Sequence, residues 1–307
     1  MNAIVLNSRL LQERGGAGRV SVPWLLVAPM IVGLLAFAVY PLIYLLVLSA
    51  SRSLLGRTFQ EWVGLINYRA ALRDDVFIGS LIRSVGFAVP VSVLEVAAGL
   101  AIALLLRRSV RGGHVIRTLL LLPLMTPPIM VAVAWRLMLA PIGGLVNNTL
   151  RALGVTDEPI SFLGSSTWAF PAVGVADAWQ WTPFVILLAF AALQALPEDI
   201  YEAALIDGAS PGRIFWTITL PLLMPALAAV LLIRMITALK LFDLVYILTA
   251  GGPGFDTTVA TFQIYRVALQ QFDVGYAAAQ TILFGVVVGL VTLPLVLLRD
   301  WTVTRWS

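Results

Sequence analysis

Six long apolar runs, at 22–50, 77–106, 118–139, 167–196, 218–249 and 274–298, are set apart along the chain by shorter polar stretches. Each can supply the roughly 20 apolar residues that a helix needs to cross a bilayer. The pattern predicts an all-α polytopic membrane protein with six spans. The first run is far longer than the roughly 7–15 residues of a signal-peptide core, so it reads as a spanning helix rather than a cleaved leader. Pro29 and Pro41 are expected to kink it. A polar stretch at 51–75 follows, with Trp62 and Tyr68 suited to a membrane interface. The Pro141-Ile142-Gly143-Gly144 segment is a turn signal, and 145–166 reads as mixed structure with a short surface helix. Ala250-Gly251-Gly252-Pro253-Gly254 is a strong breaker between the last two spans. The resulting division is a tail at 1–21, a membrane domain at 22–298 and a second tail at 299–307.

One polar island differs from the other connections. Between the fourth and fifth runs stands Tyr201-Glu202-Ala203-Ala204-Leu205-Ile206-Asp207-Gly208-Ala209-Ser210-Pro211. Pro197 is pre-set for a first helical turn, and Glu198 and Asp199 stand where the helix dipole favours acids. Gly208 fits a helix stop, and Ser210-Pro211 fits a cap followed by proline at the first position of a second helix. A short helix, a glycine turn and another helix are predicted within about 197–217, exposed at the mouth of the bundle. The bland alternative is a solvated acidic connector with an ordinary glycine stop.

Composition agrees with the membrane reading, since the chain is 60% hydrophobic and 12% charged. With no Cys there is no disulfide, thiolate metal site or cysteine nucleophile, and the lone His114 cannot make a His-rich metal site. Basic residues are scattered along the margins of the spans, which argues against nucleic-acid binding. Arg9, Arg14, Arg19, Arg107, Arg108, Arg111, Arg117, Arg213, Arg299 and Arg305 fall on one side of the predicted topology. Arg52, Arg57, Arg69, Arg73, Arg83, Arg151 and Arg266 fall on the other. The bias, led by the cluster at 107–117, favours cytoplasmic termini and a cytoplasmic Glu202 island. Trp24, Trp301 and Trp306 read as interfacial anchors.

No phosphate-binding loop of the form G-x-x-x-x-G-K-[ST] is present, so ATP hydrolysis is not expected in this chain. Metalloprotease and serine-hydrolase motifs are absent as well. Ionisable residues inside the runs are Glu95, Arg136, Asp177, Arg234, Lys240 and Asp243, each costly unless it faces protein or a wet cavity. Asp177 stands beside Trp179, Gln180 and Trp181, and a carboxylate and an amide among indole faces suit sugar hydroxyls and C–H faces. Two readings stand side by side. In one, Asp177, Trp179, Gln180, Trp181, Lys240, Asp243 and Tyr246 line the route of a polar solute. In the other, Lys240 pairs with Asp243 three residues on, Arg136 pairs with Glu95 or Asp177, and all serve helix packing. A free Lys240 would suit an anionic sugar.

The island carries a family resemblance. Glu202, Ala203, Ala204 and Gly208, followed by Ile218, Leu220 and Pro221, resemble the E-A-A-x-x-x-G … I-x-L-P loop of permease subunits of binding-protein-dependent ABC importers. Asp207-Gly208-Ala209 and Phe215 are similar to the carbohydrate branch. Trp62-Val63-Gly64-Leu65 with Asn67-Tyr68 resembles the first external segment of sugar permeases. Phe242-Asp243, Leu248-Thr249, Gly251-Gly252-Pro253 and Thr257 resemble the segment after the fifth span in the maltose transporter's larger permease type. That subunit has further N-terminal spans and a large external domain for which this chain has no room. The resemblance covers about 22–298.

The resemblance implies a type I importer permease that makes no covalent chemistry and holds no cofactor. ATP and Mg would be bound by a separate ATP-binding cassette ATPase dimer seated against Glu202 through Ala209, with Leu205 and Ile206 as an apolar ridge. It also implies a second permease subunit and an extracytoplasmic solute-binding protein docking near Gly251, Gly252 and Pro253, where a plain turn is the simpler alternative. The solute would be a carbohydrate or a related polyol or sugar derivative, and the location a bacterial or archaeal cytoplasmic membrane. Two rivals are an ion-coupled secondary transporter using Asp177, Lys240 or Asp243, and a membrane scaffold or enzyme.

Overall fold

A computed structural model describes residues 21–107 and 113–306, without the side chains of 21–26, 113–117, 305 and 306. The expected tail at 1–21, with Arg9, Arg14 and Arg19, therefore lies outside the described residues apart from the Ser21 backbone. So do Arg108 and Arg111 and the side chains of Trp24, His114, Arg117, Arg305 and Trp306.

The first span is α1 (Ser21–Leu34), a π-helical turn at Leu35–Val39, and α2 (Tyr40–Ser49). The π turn ends two residues before Pro41, and it absorbs the missing N–H and the ring clash that proline imposes on the preceding turn. Pro29 sits inside α1. The polar stretch then holds an antiparallel hairpin, β1 (Ser51–Leu54) and β2 (Arg57–Trp62), followed by α3 (Ile66–Ala71). Asn67 Nδ2 donates to the carbonyls of Ser49 and Ser51 at 2.9 and 3.0 Å, clamping the hairpin to the end of α2. The helical fold stands as expected, with this small sheet added at one end.

The second span is α4 (Asp75–Arg107), at about 1.5 Å per residue a rod of about 50 Å. The single third span is corrected by the structure. It is two helices, α5 (Gly113–Met125) and α6 (Pro128–Met138), bent by 96° between Thr118–Met125 and Pro128–Met138. Consecutive prolines at 127 and 128 are the cause, because each disfavours helical geometry in the residue before it, and Pro127 is extended at ψ 139°. A surface helix α7 (Leu145–Ala152) follows, and its Asn147 fastens the next loop by accepting from Ile160 N and donating to the carbonyls of Ala140 and Ile160. The fourth span is α8 (Ala169–Gln194).

The island contains α9 (Glu198–Ile206) and α10 (Pro211–Ile214). A second π turn, Phe215–Thr219, leads into α11 (Leu220–Leu239), and here again the π turn ends two residues before a proline, Pro221. The fifth span stands as one stretch at Pro211–Leu248, with a short break inside it: α11 stops at Lys240, and α12 (Asp243–Leu248) starts after it. Thr261 Oγ1 donates to the carbonyl of Leu241 within that break, so a side chain takes a position that the next helical N–H would fill. The chain continues through α13 (Ala260–Tyr265), a third π turn at Arg266–Gln270, and α14 (Val274–Trp306). Residues 299–306, read from the sequence as a tail, continue α14 as helix.

The core lies among α4, α8 and α11. Gly99 on α4 lets α8 approach so closely that a Cβ there would meet Val185 Cγ1 at 2.5 Å. Phe87, Val173, Leu244, Val245 and Phe262 make one buried cluster, and Leu100, Ala189, Leu193 and Leu223 another. By contrast α2 touches the bundle chiefly along α14, and the first span leaves Met30, Phe37 and Leu42 exposed. Among the described residues five helical stretches are long and apolar enough to cross a membrane, or six with the bent pair counted as one. The hairpin, the start of α14 and the loop after α12 share one end of the bundle. There Leu55 N donates to Phe272 O at 2.8 Å, and Leu54 pairs with Asp273. The end of α4 and the island share the opposite end, where the Arg107 guanidinium lies 4.4 Å from the centre of the Tyr201 ring.

Candidate functional site: an exposed helix–turn–helix on a salt-bridged bundle

The island folds as the local residue types dictate. Glu198 and Asp199 occupy the first turn of α9. Pro197 is the residue just before that helix, extended at φ −62° and ψ 132°, rather than part of its first turn. Gly208 has φ +73°, a conformation that glycine adopts without strain, and Ala209 N donates back to Ala204 O at 3.0 Å to close the helix end. Ser210 Oγ accepts from Arg213 N at 3.4 Å at the start of α10, with Pro211 behind it.

Ala204 is buried against the bundle, whereas Glu202, Ala203, Leu205, Ile206, Asp207 and Gly208 are exposed and Ala209 is partly so. Ile206 is 86% exposed and Leu205 63%, an apolar ridge that this chain leaves uncovered at a bundle end flanked by Glu202 and Asp207. Tyr201 is the fixed side of the device. Its hydroxyl donates to Thr219 Oγ1 at 3.1 Å, which ties α9 to the π turn that opens α11. A cavity of about 770 Å³ lies between α4, α9 and α10, lined by Leu104, Arg107, Tyr201, Leu205, Ile214 and Phe215 among others.

The helices on either side of the island, α8 and α11, are joined deep in the bundle by charge. Arg234 on α11 is wholly buried. Its Nε donates to Glu95 Oε2, its Nη2 donates to Glu95 Oε1 at 2.9 Å and to Asp177 Oδ2 at 2.7 Å, and its Nη1 donates to Thr237 Oγ1 at 2.7 Å. The guanidinium plane lies 5.1 Å from the centre of the Trp181 ring. Glu95 belongs to α4 and Asp177 to α8, so one planar fork links three spans. Charged groups at this depth persist only when paired and hydrogen-bonded, as all three are here.

The pathway residues do not gather in one place. Asp177 and Gln180 face the interior: Asp177 holds Arg234, and Gln180 Nε2 donates to Thr126 O at 3.1 Å across the bend between α5 and α6. Trp179 is exposed on another face of α8, edge-on to Trp135 at 6.3 Å. Lys240 is exposed, Asp243 is half-buried, and no ion pair joins them. The expectation of one shared helical face fails because the helix breaks between them. Arg136 is not paired with Glu95 or Asp177 either; the bend swings α6 against α12, where Arg136 Nη1 donates to Ile247 O at 3.2 Å. Tyr246 is exposed and stacks on Phe242 at 5.5 Å, in a four-ring cluster with Phe262 and Tyr265.

At the far end, Gly251 is buried at φ +84°, and a Cβ there would stand 2.6 Å from both Phe262 and Thr258. Thr257 Oγ1 donates to Gly252 O at 2.8 Å and Thr258 Oγ1 to Gly251 O at 2.9 Å, so the loop is fastened from within. Gly252 and Pro253 are half-buried, and the exposed part is 254–256.

Sequence reasoning named Arg234 as an intramembrane cation but did not pair it, and it missed the hairpin. The signal for the pairing was the count itself: one further arginine inside a run, with Glu95 and Asp177 lacking any other partner once Arg136 is turned away.

Comparisons with known proteins place this geometry. The profile described as "Binding-protein-dependent transport system inner membrane component" matches residues 95–306. The trehalose/maltose transport system permease protein MalF of Thermococcus litoralis is 40% identical over 268 residues, 86% of this chain and 89% of that protein. The sn-glycerol-3-phosphate transport system permease protein UgpA of Agrobacterium fabrum is 31% identical, covering 87% of this chain and 90% of that protein. Among solved structures, a chain of a bacterial ABC transporter involved in the import of the acidic polysaccharide alginate superposes with a TM-score of 0.79 at 25% identity, over 90% of this chain and 95% of that one. The chain thus belongs to the family of inner membrane components of binding-protein-dependent transport systems.

Proposed function

We propose that the chain is one of two permease subunits of an ATP-driven importer for a carbohydrate or a related polyol derivative. The observation that carries the coupling role is the exposed Leu205–Ile206 ridge on a helix–glycine–helix device, inserted between two spans that Arg234 locks together. A separate ATPase dimer binds ATP with Mg and closes on Glu202 through Ala209. Tyr201 and the π turn before Pro221 pass that movement to α11, and Arg234 passes it on to α4 and α8. The cavity formed with the second permease is thereby switched from facing the cytoplasm to facing a docked solute-binding protein. The protein couples two equilibria by making different contacts in two states.

The solute class rests on relatives named for trehalose and maltose, glycerol phosphate and alginate import. Exposed Trp179, Lys240 and Tyr246, with half-buried Asp243, supply ring faces and charges on surfaces that a second permease would enclose. Asp177, Gln180 and Trp181 support that route from behind by holding the helices. The cytoplasmic face is the one bearing the island, and the loop at 251–256 faces the solute-binding protein. The test is purification of the tagged chain from its native membrane. An ATP-binding subunit should accompany it and be lost when Leu205 and Ile206 are both changed to Asp; its absence from the unaltered preparation would refute the reading.

A further inference from the structure

A polar cavity of about 170 Å³ lies at the bundle end opposite the island. It is built where the start of α4, the turn after α13 and the start of α14 meet, and its lining includes Asp74, Phe255, Gln263, Arg266, Gln271 and Tyr276. None of these residues belongs to the coupling device, the salt-bridged core or the solute route described above.

The walls are fixed. Asp74 Oδ1 accepts from Val76 N and Phe77 N at 2.9 and 3.2 Å, and Asp74 Oδ2 accepts from the Tyr276 hydroxyl at 3.0 Å. The Arg266 guanidinium stands 5.2 Å from the centre of the Phe255 ring. Gln263 is only 5% exposed, lines the cavity, and its Oε1 has no hydrogen-bond partner within the protein. A buried carbonyl oxygen left unmatched is costly, so its retention on a side chain that lines a cavity points to a donor supplied from outside.

We infer that this cavity is a second, receiving site for one ring of a neutral polyhydroxyl solute, on the side from which solute arrives. The inference rests on the importer reading for that direction. Its volume equals about five or six liquid waters, the scale of a single sugar ring or a short polyol rather than a whole oligosaccharide. One carboxylate and one guanidinium balance each other, which favours a neutral ligand. Gln263 Oε1 accepts a hydroxyl proton, Arg266 and Gln271 donate to hydroxyl oxygens, and the Phe255 ring offers an apolar face for C–H groups. A mixture of acceptors and donors beside an aromatic face is what a ligand with alternating hydroxyls and C–H faces requires.

The experiment uses the full chain in complex with its partner subunits, in lipid nanodiscs without solute-binding protein, titrated separately with radiolabelled maltose, trehalose and glycerol. Saturable binding of at least one is expected, weakened about tenfold or more by Gln263→Leu and by Arg266→Gln, the scale set by losing one or two hydrogen bonds. Gln263→Leu removes the unmatched carbonyl, so its thermal unfolding in the absence of sugar should be unchanged or raised, which separates loss of binding from loss of fold. No saturable binding to the wild-type complex overturns the inference, as does binding abolished by Lys240→Met and untouched by Gln263→Leu. It falls too if Gln263→Leu weakens only the docking of solute-free binding protein, which makes the cavity a seat for that protein. Each of these can occur while the ATPase subunit still co-purifies, so failure of the cavity and failure of the importer reading are told apart.

Discussion

Arg234 is the residue on which the interior of the bundle depends. Removing it leaves Glu95 and Asp177 buried without a counter-charge, a change that costs about 3–5 kcal/mol when one partner of a buried pair is lost. Arg234→Met should therefore lower the thermal unfolding temperature of the purified protein sharply, or prevent its recovery from the membrane. Adding Glu95→Leu and Asp177→Leu should restore most of that stability, because an apolar replacement of the whole group carries no unpaired charge. An Arg234→Met single variant as stable as the parent would contradict the triad. Lys240 and Asp243 make the opposite case. With no ion pair between them, Lys240→Met and Asp243→Leu should affect uptake additively, to within about 0.5 kcal/mol in a double-mutant cycle. Rescue of either by the other would show a pair that the structure does not contain. Asp177 and Gln180 were legible in the sequence as polar residues in an apolar run, but their direction was not. Arg234 lies 139 residues from Glu95 and 57 from Asp177, and nothing local in the chain indicates which carboxylate an arginine will meet.

At the scale of elements, local chemistry decided what could be read. The glycine stop, the serine cap and the proline after it made α9 and α10 visible from residues 197–217 alone, because each acts within one turn of its own position. The bend between α5 and α6 was written in Pro127-Pro128, yet an unbroken apolar pattern across it suggested one span. The break after Lys240 has no proline or glycine, and the side chain that meets its Leu241 carbonyl, Thr261, comes twenty residues on, so it was invisible to any local reading. The hairpin was hidden for a similar reason: every residue of β2 is exposed, which removes the inward–outward alternation that announces a strand. Among the described residues two of the three π turns end two residues before a proline, at Pro41 and Pro221, and the second opens the helix that follows the island. Pro221→Ala should leave the fold intact and permit an unbroken α-helix there. Solute uptake per ATP should fall several-fold in reconstituted complex, whereas an unchanged ratio would assign that π turn to packing alone.

The molecule as a whole has two ends of different build, joined by spans that share a charged core. The island, Arg107 and the starts of α1 and α11 lie at the first, and the hairpin, the loop at 251–256 and the polar cavity lie at the second. Because the chain has no cysteine, single cysteines report on sides of the membrane without background. Phe255→Cys should react with an impermeant maleimide on intact cells, and Ile206→Cys only after the membrane is opened; the reverse pattern would invert the orientation proposed above. The all-helical membrane architecture was legible because six apolar runs and the E-A-A-x-x-x-G spacing are properties of the chain itself. Which faces would enclose a solute was not, because Trp179, Lys240 and Tyr246 lie on exposed faces that the described residues do not enclose. The central claim is that residues 202–209 convert ATP hydrolysis into movement of the spans. The direct measurement is solute uptake and ATP hydrolysis, recorded together, in proteoliposomes holding the whole transporter with Gly208→Pro. Gly208 requires φ +73°, which proline cannot adopt, so the complex should assemble and hydrolyse ATP while uptake falls to background. Uptake at the parent ratio to hydrolysis would contradict the account.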